Sequence, residues 1–162
     1  MPLTGSSQAS ECYLAALRLL TGQDYTGAAL RRKLQMKRFS AEEAQQAVDR
    51  LILEGYLQDQ RYAERFVAAA RQNGRYVGYR LRQELRRRGV PADLIDQVLQ
   101  DTPDDGDDLI RARELIERRY AGFNPQMADD RQRRRIAGFL QRRGFPSGVV
   151  MMVLNRMSNS FE

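Results

Sequence analysis

The hydrophobic and polar positions of this 162-residue chain follow a helical period almost throughout. In the sequence RLRQELRRRGVP at 80–91, Leu81 and Leu85 lie four positions apart among charged residues. One apolar stripe on an otherwise charged segment is typical of a helix that packs on one side only. Alternation of period two, which would predict strands, is almost absent. The pattern predicts an all-α fold.

The pattern of residues 80–91 returns elsewhere, because Leu30, Leu81 and Ile136 begin three similar segments. The copies are separated by 51 residues (30 to 81) and by 55 residues (81 to 136). Aligned apolar positions follow four, nine and fourteen residues later: Leu34, Leu85 and Leu140; Phe39, Val90 and Phe145; Ala44, Ile95 and Val150. Self-similarity at a nearly fixed spacing predicts a tandem repeat.

Each copy is predicted to form a helix, a turn and a second helix. Gly89 and Gly144 fall where the first helix would end in a left-handed residue, which glycine adopts without a Cβ penalty. Arg38 takes this position in the first copy, so we expect a strained or differently shaped corner there. Pro91 and Pro146 suit the first turn of the second helix, where a missing N–H costs nothing.

The first copy has no proline at this point, and a capping box takes its place. In SAEE at 40–43, Ser40 and Glu43 are expected to bond each other's backbone N–H groups. A further helix is predicted before each pair. Its inward residues are Leu14, Leu17 and Leu20 in 11–22, which ends at Gly22; Tyr62, Phe66, Ala69 and Ala70 in 59–71, which starts at an Asp59 cap; and Leu109, Ala112, Leu115 and Ile116 in 107–120.

A unit of roughly 50 residues buries too little apolar surface to be stable alone. We therefore expect three tandem three-helix repeats, resembling helix-turn-helix units, in an elongated curved stack. The predicted parts are a flexible N-terminus at 1–10, repeats at 11–57, 58–100 and 108–157, an acidic linker at 101–107 and a tail at 158–162. A long loop at 121–130, inside the third repeat, is expected to be mobile.

Catalytic chemistry has few candidate residues in this sequence. There is no histidine, and Cys12 is the one cysteine, so no Cys–His pair can form. The carboxylates of DTPDDGDD at 101–108 lack the spacing of a calcium loop, and we expect them to cap the next helix. No phosphate-cradling glycine loop is present. We therefore expect neither an enzyme nor a bound metal or cofactor.

The cellular context follows from what the sequence lacks. A single cysteine rules out an internal disulfide and fits a reducing compartment. No apolar run approaches the roughly 20 residues that cross a bilayer, and MPLTGSSQASECY lacks the layout of a secretion signal. We expect a cytoplasmic monomer that does not bind membranes.

Charge points toward an anionic partner. The net charge is +6, and nearly all of the 27 basic residues are arginines, whose guanidinium groups favour phosphates and carboxylates. Charge alone does not choose between nucleic acid and an acidic protein surface, and solvated helix faces are the alternative to both. Reading of DNA bases is not favoured, because the second helices begin PADLIDQVLQ and PSGVVMMVLN, one acidic and one apolar.

Three clusters of basic residues are the candidate binding sites for a partner or for DNA. They are Arg31, Arg32, Lys33, Lys37 and Arg38; Arg71, Arg75, Tyr76, Arg80, Arg82, Arg86, Arg87 and Arg88; and Arg131, Arg133, Arg134, Arg135, Arg142 and Arg143. Asp59, Tyr62, Gly78, Leu85 and Gly89 are assigned to capping, packing and turning.

Two segments, GYLQDQRYAERFV at 55–67 and GYRLRQELRRRGV at 78–90, resemble the best-marked segments of the RecX family. The matching residues are Gly55, Tyr56, Leu57, Asp59, Arg61, Tyr62, Ala63 and Phe66, then Gly78, Arg80, Leu81, Glu84, Leu85, Gly89 and Val90. The resemblance extends over nearly the whole chain. One departure is Gln58, where the family often has an acidic residue.

The resemblance implies a regulator of the RecA recombinase that lies along the groove of the RecA–DNA filament. Such a protein restrains ATP hydrolysis, strand exchange and filament growth, and has no catalytic residues of its own. Capping, groove blocking and active dismantling of the filament all stay open at this point. The alternative function is electrostatic binding of single-stranded nucleic acid, and a weaker one is a scaffold for another acidic protein.

Overall fold

The computed structural model describes residues 4–101, 108–124 and 126–159. These ranges form nine α-helices and contain no strand: α1 (Thr4–Gly22), α2 (Gly27–Met36), α3 (Ala41–Leu53), α4 (Asp59–Gln72), α5 (Gly78–Arg87), α6 (Ala92–Asp101), α7 (Asp108–Arg119), α8 (Asp130–Arg143) and α9 (Ser147–Asn159). The all-α prediction is confirmed. Most of the predicted acidic linker, with parts of the predicted N-terminus and tail, lies outside the described residues.

The chain divides into two compact units. Unit 1 contains residues 1–66 and 85–99, and unit 2 contains residues 67–84 and 100–162. The division falls inside α4 and α5, so the middle repeat contributes residues to both units. None of the described helices is long and apolar enough to cross a membrane.

The core of unit 1 is built from the aligned apolar positions of the first repeat. Leu30 and Leu34 of α2 are fully buried, as the stripe predicts. Helices α1 and α3 supply the facing side chains, and the buried cluster consists of Cys12, Ala16, Leu30, Leu34, Ala44, Ala47, Val48, Leu51 and Leu57. Burial of this kind contributes roughly 25 cal/mol per Å² of apolar surface.

The core of unit 2 uses the aligned positions of the third repeat. Ile136 and Leu140 of α8 meet side chains of α7 and α9, and Val77 joins them from the turn before α5. The buried cluster consists of Val77, Ala112, Leu115, Ile116, Ile136, Leu140, Phe145, Val150, Val153 and Leu154. The predicted inward residues of the 107–120 helix are therefore confirmed, with Leu109 half-buried.

The three predicted corners adopt the left-handed backbone conformation. Their φ angles are 72° at Arg38, 85° at Gly89 and 102° at Gly144. At each corner the next N–H bonds the carbonyl five residues back, as in the bond from Phe39 to Leu34 at 3.3 Å. This is the Schellman arrangement, which satisfies carbonyls at the end of a helix. Arg38 is the strained corner that the sequence predicts.

One repeat docks on the corner of the next in both units. In unit 1, the Thr26 hydroxyl just before α2 donates to the Arg88 carbonyl at 2.5 Å. In unit 2, the Val77 N–H just before α5 donates to the Arg143 carbonyl at 2.9 Å. Thr26 and Val77 are separated by 51 residues and Arg88 and Arg143 by 55 residues, which are the spacings of the sequence repeat. The repeat therefore includes the contact between successive copies.

In two helices, the side that is buried differs from the side that the sequence predicts. In α1, which begins at Thr4 rather than at residue 11, Leu14 is 51% exposed, and Cys12 and Ala16 are buried instead. In α4, Ala69 is exposed, and the buried stripe is Ala63, Val67 and Ala70, with Tyr62 and Phe66 half-buried. The prediction followed the largest side chains, whereas these helices pack closely through small residues.

The carboxylate of Asp59 caps a different helix from the one predicted. Its Oδ1 accepts a hydrogen bond of 2.8 Å from the Gly27 N–H at the start of α2. Because Thr26 also receives the Ala29 N–H at 3.2 Å, two of the four unpaired N–H groups of α2 are satisfied. The Ser40–Glu43 capping box at the start of α3 is confirmed.

We expect Gly144→Ala to destabilise the protein by at least about 2 kcal/mol, because a left-handed alanine costs about 1–2 kcal/mol before any clash. The added Cβ would also lie 2.3 Å from the Val77 carbonyl oxygen. Gly148→Ala in α9 is the matched control, since its Cβ meets nothing within 4 Å. Urea unfolding followed by circular dichroism measures both, and equal effects would contradict the account of the corner.

We expect Arg38→Gly to stabilise the protein by about 0.5–1 kcal/mol. Glycine removes the left-handed strain of roughly 1–2 kcal/mol and costs about 0.5–1 kcal/mol in backbone entropy. The control is Lys33→Gly inside α2, where the backbone is helical and the same entropy is lost without relief of strain. Thermal unfolding of the two variants should move in opposite directions, and a loss of stability in both would show that this corner is unstrained.

Candidate partner-binding surfaces

The first basic cluster lies on the exposed side of α2 and its corner. Its five residues, Arg31, Arg32, Lys33, Lys37 and Arg38, are all exposed. Arg31 bonds the Gln45 side chain of α3 at 2.6 Å. Leu30 and Leu34 share the buried side of α2, and the basic residues between and after them are the exposed ones.

A cavity of about 290 Å³ in unit 1 brings arginines of two predicted clusters together. Arg32, Arg87 and Arg88 line it with the aromatic side chains of Tyr25 and Tyr62. The start of α2 lies at the same cavity, and helix N-termini carry a partial positive charge. The sequence placed these arginines in separate clusters, and the fold joins them.

Arg88 is half-buried and makes its contacts inside unit 1. Its Nη1 donates to the Tyr62 hydroxyl at 2.9 Å, and its guanidinium lies 4.4 Å from the centre of the Phe66 ring. An arginine over an aromatic face gains about 0.5–2 kcal/mol. Arg88 therefore holds α4 against the corner, and its neighbours Arg86 and Arg87 are the exposed cations.

Arg80 of unit 2 also contacts a buried side chain, that of Glu84. Its Nη2 lies 3.3 Å from Oε1 of Glu84, whose side chain is only 4% exposed. A buried carboxylate without a cation is strongly destabilising, so Arg80 supports the fold. The rest of the middle cluster divides into Arg75, which is exposed, and Arg71, Tyr76 and Arg82, which are half-buried.

The third cluster lies on α8 and at its end. Arg131, Arg134, Arg135 and Arg142 are exposed, and Arg133 and Arg143 are half-buried. A capping box of Asp129 and Gln132 starts this helix.

The sequence predictions did not include Arg118 and Arg119, which lie near two predicted residues in unit 2. The Arg118 Nη2 donates to the Asn73 carbonyl at 3.3 Å, and the Arg143 Nη1 donates to the Gly74 carbonyl at 2.7 Å. Burial and the charges of Arg118, Arg119 and Arg75 lower the pKa of Arg143. Two adjacent arginines at the end of a predicted helix could have indicated Arg118 and Arg119. Basic residues are common at helix ends, however, so this pattern is not specific for a binding site.

The remaining chemically active side chains include Cys12 and Glu54. In the described ranges, no group of three or more metal-ligating side chains is found. Burial raises the pKa of the Cys12 thiol, which disfavours a reactive thiolate. Glu54 accepts a hydrogen bond from Tyr13 and pairs with Arg50 at 2.8 Å, and these contacts lower the pKa of its carboxyl. This network lies on the surface of unit 1.

In the part of the chain that the structure describes, nine helices follow one another in three groups, each with exposed arginines, which is the organisation of an all-helical repeat protein. Family models for the three parts of one such protein match the chain in order. They are RecX, first three-helix domain, at residues 12–51; RecX, second three-helix domain, at 59–99; and RecX, third three-helix domain, at 106–154. The chain belongs to the RecX family.

Individual relatives agree with this assignment. The regulatory protein RecX of Trichlorobacter lovleyi is 73% identical over 154 residues, which cover 95% of this chain and all of that protein. The regulatory protein RecX of Thermus thermophilus is 38% identical over 142 residues, covering 88% of this chain and 89% of that protein. The chain is therefore a regulatory protein of this family.

Solved structures share the fold at low sequence identity. The crystal structure of RecX from Lactobacillus salivarius matches with a TM-score of 0.70 and 18% identity, over 95% of this chain and 99% of that one. A second crystal structure, of regulatory protein RecX, matches with a TM-score of 0.69 and 24% identity, over 93% of this chain and 73% of that one.

We expect Arg88→Ala to destabilise the protein by about 1–3 kcal/mol, because it leaves the Tyr62 hydroxyl without its partner and removes the contact with the Phe66 ring. Arg86→Ala, two positions earlier and exposed, should change stability by less than about 0.5 kcal/mol. Urea unfolding of the two variants measures the difference. Equal losses would mean that Arg88 has no special packing role.

Proposed function

We propose that this protein regulates the RecA recombinase, mainly as an inhibitor, by binding the groove of the RecA–DNA filament. It modulates ATP hydrolysis, strand exchange and filament growth in recombination and DNA repair. The observation that carries the proposal is the match of three consecutive RecX domains along the chain, with a 73% identical regulatory protein RecX. Binding is the whole of its action, and it catalyses no reaction itself.

The placement of charge supports binding to an extended anionic partner. Every repeat exposes arginines on a helix whose other side is core, so the cations are held on a rigid support. Guanidinium groups bind phosphates and carboxylates through paired hydrogen bonds, and both anions occur on a protein–DNA filament.

We assign contact with the partner to the exposed members of the three clusters. These are Arg31, Arg32, Lys33, Lys37, Arg38, Arg75, Arg86, Arg87, Arg131, Arg134, Arg135 and Arg142. The half-buried members expose less surface to a partner. They are Arg71, Tyr76, Arg80, Arg82, Arg88, Arg133 and Arg143. Arg86→Ala should therefore weaken binding and leave stability nearly unchanged.

A second candidate function is electrostatic binding of free single-stranded nucleic acid. The convergence of arginines near residues 73–75 favours it, because phosphates are the densest biological anions. Salt distinguishes the two functions: six phosphate contacts on a single strand give a log–log slope of about −4. A filament regulator keeps a partner-dependent component of binding at salt concentrations where naked DNA is released.

The test is ATP hydrolysis by a cognate recombinase on single-stranded DNA, with this protein added well below one molecule per recombinase. Binding to naked DNA is measured in the same buffer. We expect strong inhibition where free DNA is barely bound, and several-fold weaker inhibition by Arg86→Ala. Arg113→Ala is the matched control, because Arg113 is exposed and paired with Glu117 at 2.8 Å.

Inhibition only at concentrations that coat the DNA would contradict the filament proposal and favour simple competition for the strand. Equal inhibition by the Arg86 and Arg113 variants would show that Arg86 does not contact the partner.

A further inference from the structure

Two arginine side chains of unit 2 meet at the turn that follows α4, and two further arginines adjoin them in the chain. The carbonyl oxygens of Asn73 and Gly74 accept hydrogen bonds from Arg118 and Arg143 at 3.3 and 2.7 Å. Arg75 is the next residue of the same turn, and Arg119 is the chain neighbour of Arg118. These residues come from three separate segments, the turn itself, the end of α7 and the end of α8.

The conformation of the turn explains why its carbonyls are available. Gly74 is left-handed, with φ of 55°, and the N–H groups of Gly74 and Arg75 bond the carbonyls of Arg71 and Ala70. A Cβ at Gly74 would lie 2.7 Å from a methyl carbon of Leu115, so α7 packs directly against the turn. This packing brings the basic end of α7 beside the two carbonyls.

The positive charge at this turn is not neutralised within the described part of the chain. None of the four arginines forms an ion pair there, and the nearby carboxylate of Glu117 is bonded by Arg113 at 2.8 Å. Arg143 is half-buried above the Phe139 ring, 4.4 Å from its centre, which restricts its movement away from the others. Its pKa is lowered by burial and by the other three charges. Mutual repulsion of this kind is relieved when an anion binds.

We infer that Arg75, Arg118, Arg119 and Arg143 form a phosphate-binding site that takes consecutive phosphates of a single nucleic-acid strand. The inference deepens the proposed function and rests on it, since it states which part of the chain contacts the DNA of the filament. Arg143 is the fixed member, held by the Gly74 carbonyl and the Phe139 ring. Arg75, Arg118 and Arg119 are exposed and supply the remaining donors.

One aromatic ring at the turn, that of Tyr76, and a second one three residues further along the chain, that of Tyr79, favour a nucleic-acid strand over an acidic protein. The Arg75 guanidinium lies 5.6 Å from the centre of the Tyr76 ring, and Tyr79 in the first turn of α5 is 61% exposed. Arginines together with aromatic rings are typical of sites for single strands, where phosphates meet the cations and bases stack on the rings. A carboxylate partner would leave the ring of Tyr79 without a contact.

The first experiment measures fluorescence anisotropy of a labelled thymidine 20-mer with the full chain. At 0.1 M salt we expect Arg118→Gln and Arg119→Gln each to bind about fivefold more weakly. We also expect each to reduce the log–log salt slope by about 0.7, the value for one phosphate of a single strand. Arg113→Gln is the matched control, because it removes one exposed charge from the same helix, and we expect less than a twofold effect. Equal affinities and slopes for all three variants would overturn the proposal.

A second variant tests the aromatic part of the site. Tyr79→Ala should weaken binding of the 20-mer fivefold or more and leave the salt slope unchanged, because base stacking is not electrostatic. A polyglutamate chain serves as the competing anion. If it displaces the oligonucleotide equally well at equal charge concentration, the site takes carboxylates and the nucleic-acid assignment is wrong.

Recombinase inhibition separates this inference from the proposed function. If the unaltered chain inhibits the recombinase but Arg118→Gln and Arg119→Gln bind DNA as Arg113→Gln does, the phosphate site is wrong and the regulator stands. If the unaltered chain fails to inhibit and the two variants still lose DNA binding, the phosphate site stands and the filament role fails.

Discussion

The structure depends on one hydrogen bond to a backbone carbonyl that recurs with the sequence repeat, with a hydroxyl donor in one copy and an N–H donor in the other. The carbonyl before a left-handed corner, at Arg88 and again at Arg143, accepts a donor from the start of a helix in the preceding repeat. The donor can approach because the corner residue is glycine, with no Cβ to fill the space. Each repeat thereby satisfies a polar group of the next, and successive repeats are joined at these corners.

The same corner determines which arginines face the solvent. Arg88 and Arg143 precede their glycines, and both guanidiniums lie 4.4 Å from a phenylalanine ring, those of Phe66 and Phe139. Their neighbours earlier in the helix, such as Arg87 and Arg142, are exposed. A run of arginines therefore contains two kinds of residue, because a helix turns about 100° per position and only one of its sides can pack. Counting charge along the sequence cannot separate them.

Family membership and fold agree although most residues differ between distant members. Two solved RecX structures share the fold at 18% and 24% identity. The buried side of a helix requires only apolar side chains of suitable volume at the right spacing, and several residue types meet this requirement. The corner between two helices requires a left-handed backbone, which favours glycine. Even there, Arg38 takes the place of glycine in the first repeat, with a φ of 72°.

The sequence by itself determined the helical class, the three-copy repeat, the corners and the main core stripes, because each depends on local periodicity or on the backbone preference of one residue. It also indicated the family through two segments. Tertiary structure decided which sides of α1 and α4 are buried. Cys12, Ala16 and Val67 pack there in place of larger side chains. It also decided that Asp59 caps α2 and that Arg118 lies near Arg143. These last two contacts join residues 32 and 25 positions apart, and their distances depend on how helices pack, which no local pattern encodes.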